Sequence, residues 1–390
     1  MRYAFADCLL DTDTRTLLRL GTSVPVEPQV FDLLALLAAN PVRVVTTDEI
    51  VEQVWRGRIV SDSTISARIA AARKAVGDSG KDQAVIRTVS RRGLQLIAPV
   101  NAPDAAPEPR ASATQTVRYA TASDGARIAY AVAGSGPPLL IGFYMGTDLD
   151  IDWNAPTNRP LYDALIPHHT VIRLDARGTG LSDRGIEEVD FARNATDILS
   201  VADAIGLDRF ALLAESGGCL DTITFAATYP DRVSHLILAG GYAEGRSLRE
   251  GGKPPESDSI RAIIDEGWGK PDNAFATGFA TLYFPEGPHD AVRVIAENMG
   301  KSVSRETIIL YRDAVNTASV IDLLPAIQAP TLIVHGRNDH VHPLSEARKL
   351  ARGIKNAELL VLESANNIPI PGHPTFPTYV DAILAFLSRS

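Results

Sequence analysis

Apolar and polar positions change rhythm along this 390-residue chain. The runs FADCLLD, TRTLLRLG and SVPVEP read as short strands, with turns at Asp11–Asp13 and Gly21–Thr22. PQVFDLLALLAANP then places Phe31, Leu33, Leu34 and Leu37 on helical spacing, with Pro28 near its first turn. TTDEIVEQVW predicts a second helix, capped by Thr46 or Thr47, with Asp48 and Glu49 where the dipole favours acid and Trp55 as a core residue. SDSTISARIAAARKAV predicts a third helix over 61–76. Ile65, Ile69, Ala72 and Val76 form its buried stripe, and Arg68, Arg73 and Lys74 lie off it. VIRTVSRRGLQLIAP alternates and turns at Arg91-Arg92-Gly93.

The rhythm breaks at 101–116, NAPDAAPEPRASATQT, which is rich in Ala and Pro and has no period. Strand and helix signals alternate beyond it. ARIAYAVAG, PPLLIGFY, TVIRLD, RFALLAES, HLILAGG, PTLIVHG and AELLVLE read as strands, and PTYVDAILAFL as a closing helix. That order predicts an α/β domain with a mostly parallel sheet and helices on both faces. Residues 245–325 carry helical runs between two strands, as a cap over the sheet's carboxyl edge would. The expected layout is a domain over 1–99, a linker over 100–116 and a domain over 117–390.

Charge sharpens the division. The whole chain is −9, but residues 1–100 hold 13 Lys and Arg against 11 Asp and Glu, and the remainder is −11. Residues 59–92 alone are +4. Such a split suggests two modules with different partners. Two distant cysteines, Cys8 and Cys219, support neither a disulfide framework nor a Cys-based zinc site. No run reaches the ~18 apolar residues of a membrane helix, and MRYAFADCLLDTD meets acid too early for a secretory signal. The expectation is a cytoplasmic protein with no membrane partner and no cofactor.

The order of small sheet, three helices and hairpin, with ARKAVGD and IRTVSRRGLQL, resembles the winged helix-turn-helix of the OmpR/PhoB type, also found in CadC-like regulators. The family hairpin typically reads I-x-T-V-R-G-x-G-Y. Here Arg92 stands at one glycine and Leu94 at the tyrosine. The resemblance implies that the chain binds double-stranded DNA. It makes 61–76 the recognition helix, with Ser63, Thr64 and Arg68 toward bases or phosphates and Arg73 and Lys74 nearer the backbone. Arg87, Arg91 and Arg92 belong to the wing. Ile59 and Val60 lie in the loop where relatives contact RNA polymerase.

The second module carries LLAESGGCLD, a serine among small residues between a strand and a helix, as a nucleophile elbow requires. With DARGTGLSD at 175–183 and PTLIVHGRNDHVHP at 330–343, it resembles the α/β-hydrolase fold. The resemblance makes Ser216 the nucleophile position and Asp339 the acid, with Gly217 supplying one oxyanion donor. The base position reads Ser364-Ala365-Asn366-Asn367-Ile368-Pro369, so Asn367 stands where the family has histidine. An amide is no general base, although it can hydrogen-bond a ligand. His373 is the one substitute in reach along the sequence. The other oxyanion site falls at Phe143-Tyr144-Met145, without the expected glycine.

Together these readings describe a one-component transcriptional regulator. Its winged helix grips a promoter, and its impaired hydrolase pocket senses a small-molecule effector through Tyr144, Met145, Ser216, Gly217, Trp268, Asp339 and Asn367. Tyr283, Met299 and Tyr311 are further candidates for the pocket wall. Symmetry favours a homodimer. The alternative is an active serine esterase or amidase that carries a DNA-binding domain, and a third reading makes the large domain a dimerisation or docking module.

Overall fold

In a computed structural model the chain divides into two compact units, 1–112 and 113–390. The structure describes all residues except 1, 7, 13, 20–21, 42, 56, 58–59, 82, 90–91, 99, 102–113, 143–145, 250–258, 271–273 and 390.

The first unit runs β1 (Arg2–Phe5), β2 (Cys8–Asp11), β3 (Thr16–Arg19), β4 (Thr22–Ser23), α1 (Pro28–Ala38), β5 (Val44–Thr46), α2 (Thr47–Trp55), α3 (Asp62–Ala75), β6 (Ile86–Val89), β7 (Gly93–Leu96) and β8 (Val100–Asn101). Four strands and β8 form one sheet in the order β4-β3-β2-β1-β8, and β5-β7-β6 form another. Residues 100–101, expected in the linker, instead pair with β1, Val100 against Phe5 and Asn101 against Ala4. The three helices are where the periodicity puts them. Thr46 is the cap of α2: Glu49 accepts from the Thr46 N–H at 2.8 Å, while the Glu49 N–H donates to Thr46 Oγ1 at 3.2 Å. Ser61 caps α3 by accepting from the Thr64 N–H. Gly93 holds φ at +147°, and a Cβ there would meet the Val45 carbonyl oxygen at 2.0 Å, so only glycine lets β5 close on the wing. Phe31, Leu33, Leu34, Leu37, Ile65, Ala72, Val76 and Trp55 share one core with Ile86 and Leu94 of the hairpin.

The second unit opens with β9 (Thr116–Thr121), β10 (Arg127–Gly134), β11 (Pro138–Ile141), α4 (Leu149–Asn154), α5 (Arg159–Leu165) and β12 (Thr170–Leu174). Then come α6 (Phe191–Ala204), β13 (Phe210–Glu215), α7 (Gly218–Thr228) and β14 (Val233–Ala239). The chain then enters α8 (Ser259–Gly267), α9 (Ala274–Tyr283), α10 (His289–Ser302) and α11 (Arg305–Thr317), and ends on β15 (Thr331–Gly336), α12 (Leu344–Gly353), β16 (Ala357–Leu362) and α13 (Phe376–Leu387). The eight-stranded sheet has the order β16-β15-β14-β13-β11-β12-β10-β9. Strands β11 to β16 are parallel, and β10 runs antiparallel to both β9 and β12. Strand β9 begins at Thr116, within the expected linker, and carries no strand signal of its own, because its largely exposed TVRYAT lacks the apolar run of a central strand. Helices α8 to α11 form the expected insertion between β14 and β15. Among the described residues no helix is long and apolar enough to cross a membrane.

Candidate functional site

In the first unit, α3 presents Ser63, Ser66, Ala67, Ala70 and Lys74 to solvent, one stripe at helical spacing. Thr64 is half-buried, and its hydroxyl lies 2.9 Å from Ser61 Oγ. Two expected DNA contacts sit elsewhere. Arg73 is 8% exposed; its guanidinium donates to the Ile86 carbonyl at 3.0 and 3.1 Å and to Thr88 Oγ1 at 2.8 Å. It ties α3 to β6, because its side chain leaves the helix on the hairpin side. Arg68 pairs with Glu27 at 2.9 Å and donates to Gln29 at 3.0 Å, bracing α3 against the start of α1. Arg87 and Arg92 are exposed on the hairpin, while Arg91 and Ile59 lie outside the described residues. Ser66 and Ala67 were not singled out from sequence, because neither residue type carries a DNA signal.

In the second unit, β13 delivers Ser216 to the start of α7 with φ at +49°, a left-handed conformation that a non-glycine residue holds only under constraint. The Ser216 N–H donates to the Ala239 carbonyl at 2.8 Å, and Gly217 caps α7. Asn367 occupies the loop after β16. Its Nδ2 donates to Asp339 Oδ2 at 2.8 Å and to the Gly240 carbonyl at 3.1 Å, and its N–H donates to the Tyr283 carbonyl. Asp339 Oδ1 accepts from the N–H groups of Val341 and His342. Burial pushes the Asp339 carboxyl above the usual range, while the Asn367 bond pulls it back. An amide thus fills the place of a triad base, with its Nδ2 donating to two acceptors, and it is unable to take a proton from Ser216.

Neither His373 nor His342 is arranged to replace it. His373 bonds Thr375 and faces Glu286 at 3.3 Å, and it lines neither cavity described below. His342 shares a cavity with Ser216, but its Nδ1 accepts from Arg249 at 2.9 Å. That bond leaves the proton of the neutral ring on Nε2, the tautomer opposite to the one a Ser–His–Asp base needs. Burial, followed by the Arg249 charge, also holds its pKa well below the ordinary value.

Ser216, Gly217 and Asn367 line a cavity of about 100 Å³. Its apolar wall includes Leu161, Phe284, Ile295, Met299, Ile368 and Ile370. Its polar wall holds Asp152, Asp175, Glu215 and Arg173. Burial raises Asp152 to about 7 and Asp175 to about 6, and it raises Glu215 against the hydrogen bond from Tyr379. Arg173 donates to Tyr162 Oη and the Leu149 carbonyl, and to Gln115 at the start of the unit. Asp175 Oδ2 accepts from the Leu149 and Leu181 N–H groups, and a Cβ on Gly180 (φ +47°) would meet that oxygen at 2.1 Å. Sequence gave Arg173 away only as a charge inside an apolar strand. Asp152 and Glu215 had no signal beyond their neighbours in LDIDW and AESGG.

The other predicted site residues divide. Tyr283 and Met299 line this cavity, with Ser216, Gly217 and Asn367. Asp339 stands behind Asn367 rather than in the wall. Trp268 also departs from the expectation: its Nε1 donates to the Val303 carbonyl at 2.8 Å and its ring packs edge-on to Phe279, so it fastens the cap. Tyr311 is buried and donates to the Arg177 carbonyl. Tyr144 and Met145 lie outside the described residues. Among the described residues no three His, Cys, Asp or Glu side chains cluster as a metal site.

Comparison with known proteins agrees with this division. A family model for the C-terminal domain of transcriptional regulatory proteins matches residues 21–96, and one for the α/β-hydrolase fold matches residues 139–306. Pyrrolizixenacetamide deacetylase of Xenorhabdus hominickii is 25% identical over 247 residues, 62% of this chain and 88% of the relative. 2-(Acetamidomethylene)succinate hydrolase of Mesorhizobium japonicum is 28% identical over 247 residues, 60% of this chain and 82% of the relative. A solved hydrolase from Pseudomonas aeruginosa superposes with a TM-score of 0.57 at 26% identity, over 70% of this chain and 99% of that one. An esterase from Exiguobacterium antarcticum reaches a TM-score of 0.60 at 23% identity, over 70% of this chain and 100% of that one, which speaks to the fold alone. The chain is a DNA-binding regulatory domain of the OmpR/PhoB winged-helix type fused to an α/β-hydrolase domain whose relatives are hydrolases.

Proposed function

We propose that this chain is a one-component transcriptional regulator, in which the hydrolase-type domain holds a small molecule without turning it over. The hydrogen bond from Asn367 to Asp339 carries this reading. The elbow, the acid and a lined cavity are kept, while the proton acceptor between them is an amide. Such a site binds and does not hydrolyse.

The α3 stripe from Ser63 to Lys74, with Arg87 and Arg92 of the wing, supports DNA contact by the first unit. A guest influences that contact only through a preference for one conformer of the chain. Moving a 1:99 population to 99:1 takes ~10⁴-fold preference. A dimer through the hydrolase domain would match a repeated half-site. The test is native mass spectrometry of the full chain purified from its host, followed by gel shifts on genomic fragments with the recovered compound. The reading expects an intact, non-covalent guest that changes DNA affinity at least about fivefold. An acyl adduct on Ser216, or DNA affinity indifferent to the guest, contradicts it.

The left-handed Ser216 supports a second reading, an esterase or amidase supplied with a base from outside these residues. Hydrolysis of p-nitrophenyl esters that is lost in Ser216→Ala would favour this second reading over the first.

A further inference from the structure

Asn367 is 2% exposed, and its backbone N–H donates to the Tyr283 carbonyl of the cap at 2.8 Å. The partners of its amide fix which way the side chain points. One branch faces the Gly240 carbonyl at 3.1 Å and Asp339 Oδ2 at 2.8 Å. A backbone carbonyl oxygen can only accept, so that branch is the NH2 group, and two acceptors take its two protons. A Cβ on Gly240 (φ +61°) would lie 2.8 Å from this nitrogen, so glycine lets the strand end pack against the amide. The other branch, Oδ1, is an acceptor turned away from Asp339 and Gly240. No described residue donates to it, Ser216 included. Asn367 and Ser216 line the first cavity together. A buried acceptor with no partner keeps a standing preference for a donor.

Charge does not select the guest. The first cavity sets Arg173 against Asp152, Asp175 and Glu215, and burial keeps Asp152 and Asp175 partly protonated near neutral pH. A second cavity, of about 460 Å³, shares Ser216, Gly217 and Tyr283 with the first, so a guest has room to extend past the elbow. Arg249 and Arg312 line that second cavity, and both donate within the protein, to His342 Nδ1 and to Tyr283 Oη. Hydrogen-bond polarity at Asn367 is the sharper discriminator.

We propose that the effector is an uncharged molecule with a hydrogen-bond donor, a hydroxyl or an amide N–H, that meets Asn367 Oδ1. Its apolar body packs on Phe284, Ile295, Met299 and Ile368. Asn367 is then the residue that selects a donor over a fluorine, methylene or carbonyl of similar size. The inference rests on the reading of this domain as a receptor that keeps its guest intact.

The test is calorimetric titration of the full chain with two matched pairs of probes, small enough for a cavity near the scale of benzene. Phenol and fluorobenzene differ by one O–H. 2-Pyrrolidinone and cyclopentanone differ by one N–H, so the two pairs separate hydroxyl from amide recognition. In at least one pair the donor should bind about fivefold or more tightly than its partner. Asn367→Leu should bring that ratio within about twofold and leave the affinity of the partner without a donor within about twofold. Asp339→Asn keeps the shape of the acid but directs an NH2 group at Asn367, which should turn over and present its own NH2 to the cavity. The donor preference should then disappear, and cyclopentanone should bind more tightly than it does to the parent. Melting temperatures identify a variant that fails to fold. Equal affinities within both pairs, a ratio unchanged in every folded variant, or no binding of any probe at about 10 mM overturns the inference. Ester hydrolysis lost in Ser216→Ala overturns the receptor reading instead and leaves the donor contact standing.

Discussion

Asn367 Nδ2 donates to Asp339 Oδ2 at 2.8 Å, the bond that a triad histidine would make through its ring N–H. The acid is kept and occupied, and the side chain it orients cannot take a proton. The fold positions the pair from two loops, one after β15 and one after β16, so the geometry survives the loss of the imidazole.

Asn367→His should therefore place an imidazole with Nδ1–H on Asp339 and Nε2 toward Ser216. A positioned base is worth ~10²–10⁴ in rate. The variant is expected to hydrolyse p-nitrophenyl acetate at least about tenfold faster than the parent, and the gain should vanish in Ser216→Ala/Asn367→His. A variant as silent as the parent would show that the oxyanion side is also disabled.

The winged helix separates two kinds of basic residue. Lys74→Ala and Arg92→Ala remove exposed cations, so each should weaken DNA binding and reduce the salt slope by ~0.9 if it meets a phosphate. Arg73→Ala removes a buried strut with three hydrogen bonds and should instead cost roughly 2–4 kcal/mol of stability. Parallel thermal melts and salt-dependent binding curves distinguish these outcomes. An Arg73→Ala chain with an unchanged melting point and a lower salt slope would return Arg73 to the DNA face.

Asp221 on α7 gives a pH signature away from the cavities. It is buried, accepts from Asn194 Nδ2, and is raised by that burial to about 8. The unfolded carboxyl is already ionised above about pH 4, whereas the folded one keeps its proton. Folded stability therefore falls as pH rises between about 4 and 8, by up to ~1.4 kcal/mol per unit. Asp221→Asn should flatten that fall in melts taken from pH 5 to 8. Parallel curves for parent and variant would contradict the assignment.

The sequence made the two modules, the seven core strands of the sheet, the elbow and the Asn367 departure legible, because each is local: periodicity, a turn composition, or one residue in a motif. The wall of each cavity was not. Arg173, Asp152, Arg249 and Arg312 come from a strand, two helices and a loop and converge only in three dimensions. Arg73 misled for the same reason. It lies off the apolar stripe of α3, yet a hairpin more than ten residues later covers it. Trp268 looked like a pocket aromatic in a cap, and its indole N–H found a backbone carbonyl 35 residues away.

The account turns on whether Ser216 is ever activated. The most direct measurement is hydrolysis of a panel of p-nitrophenyl esters by the purified full chain beside its Ser216→Ala variant. The account predicts rates that do not differ between the two. Turnover in the parent that disappears with Ser216→Ala would contradict it.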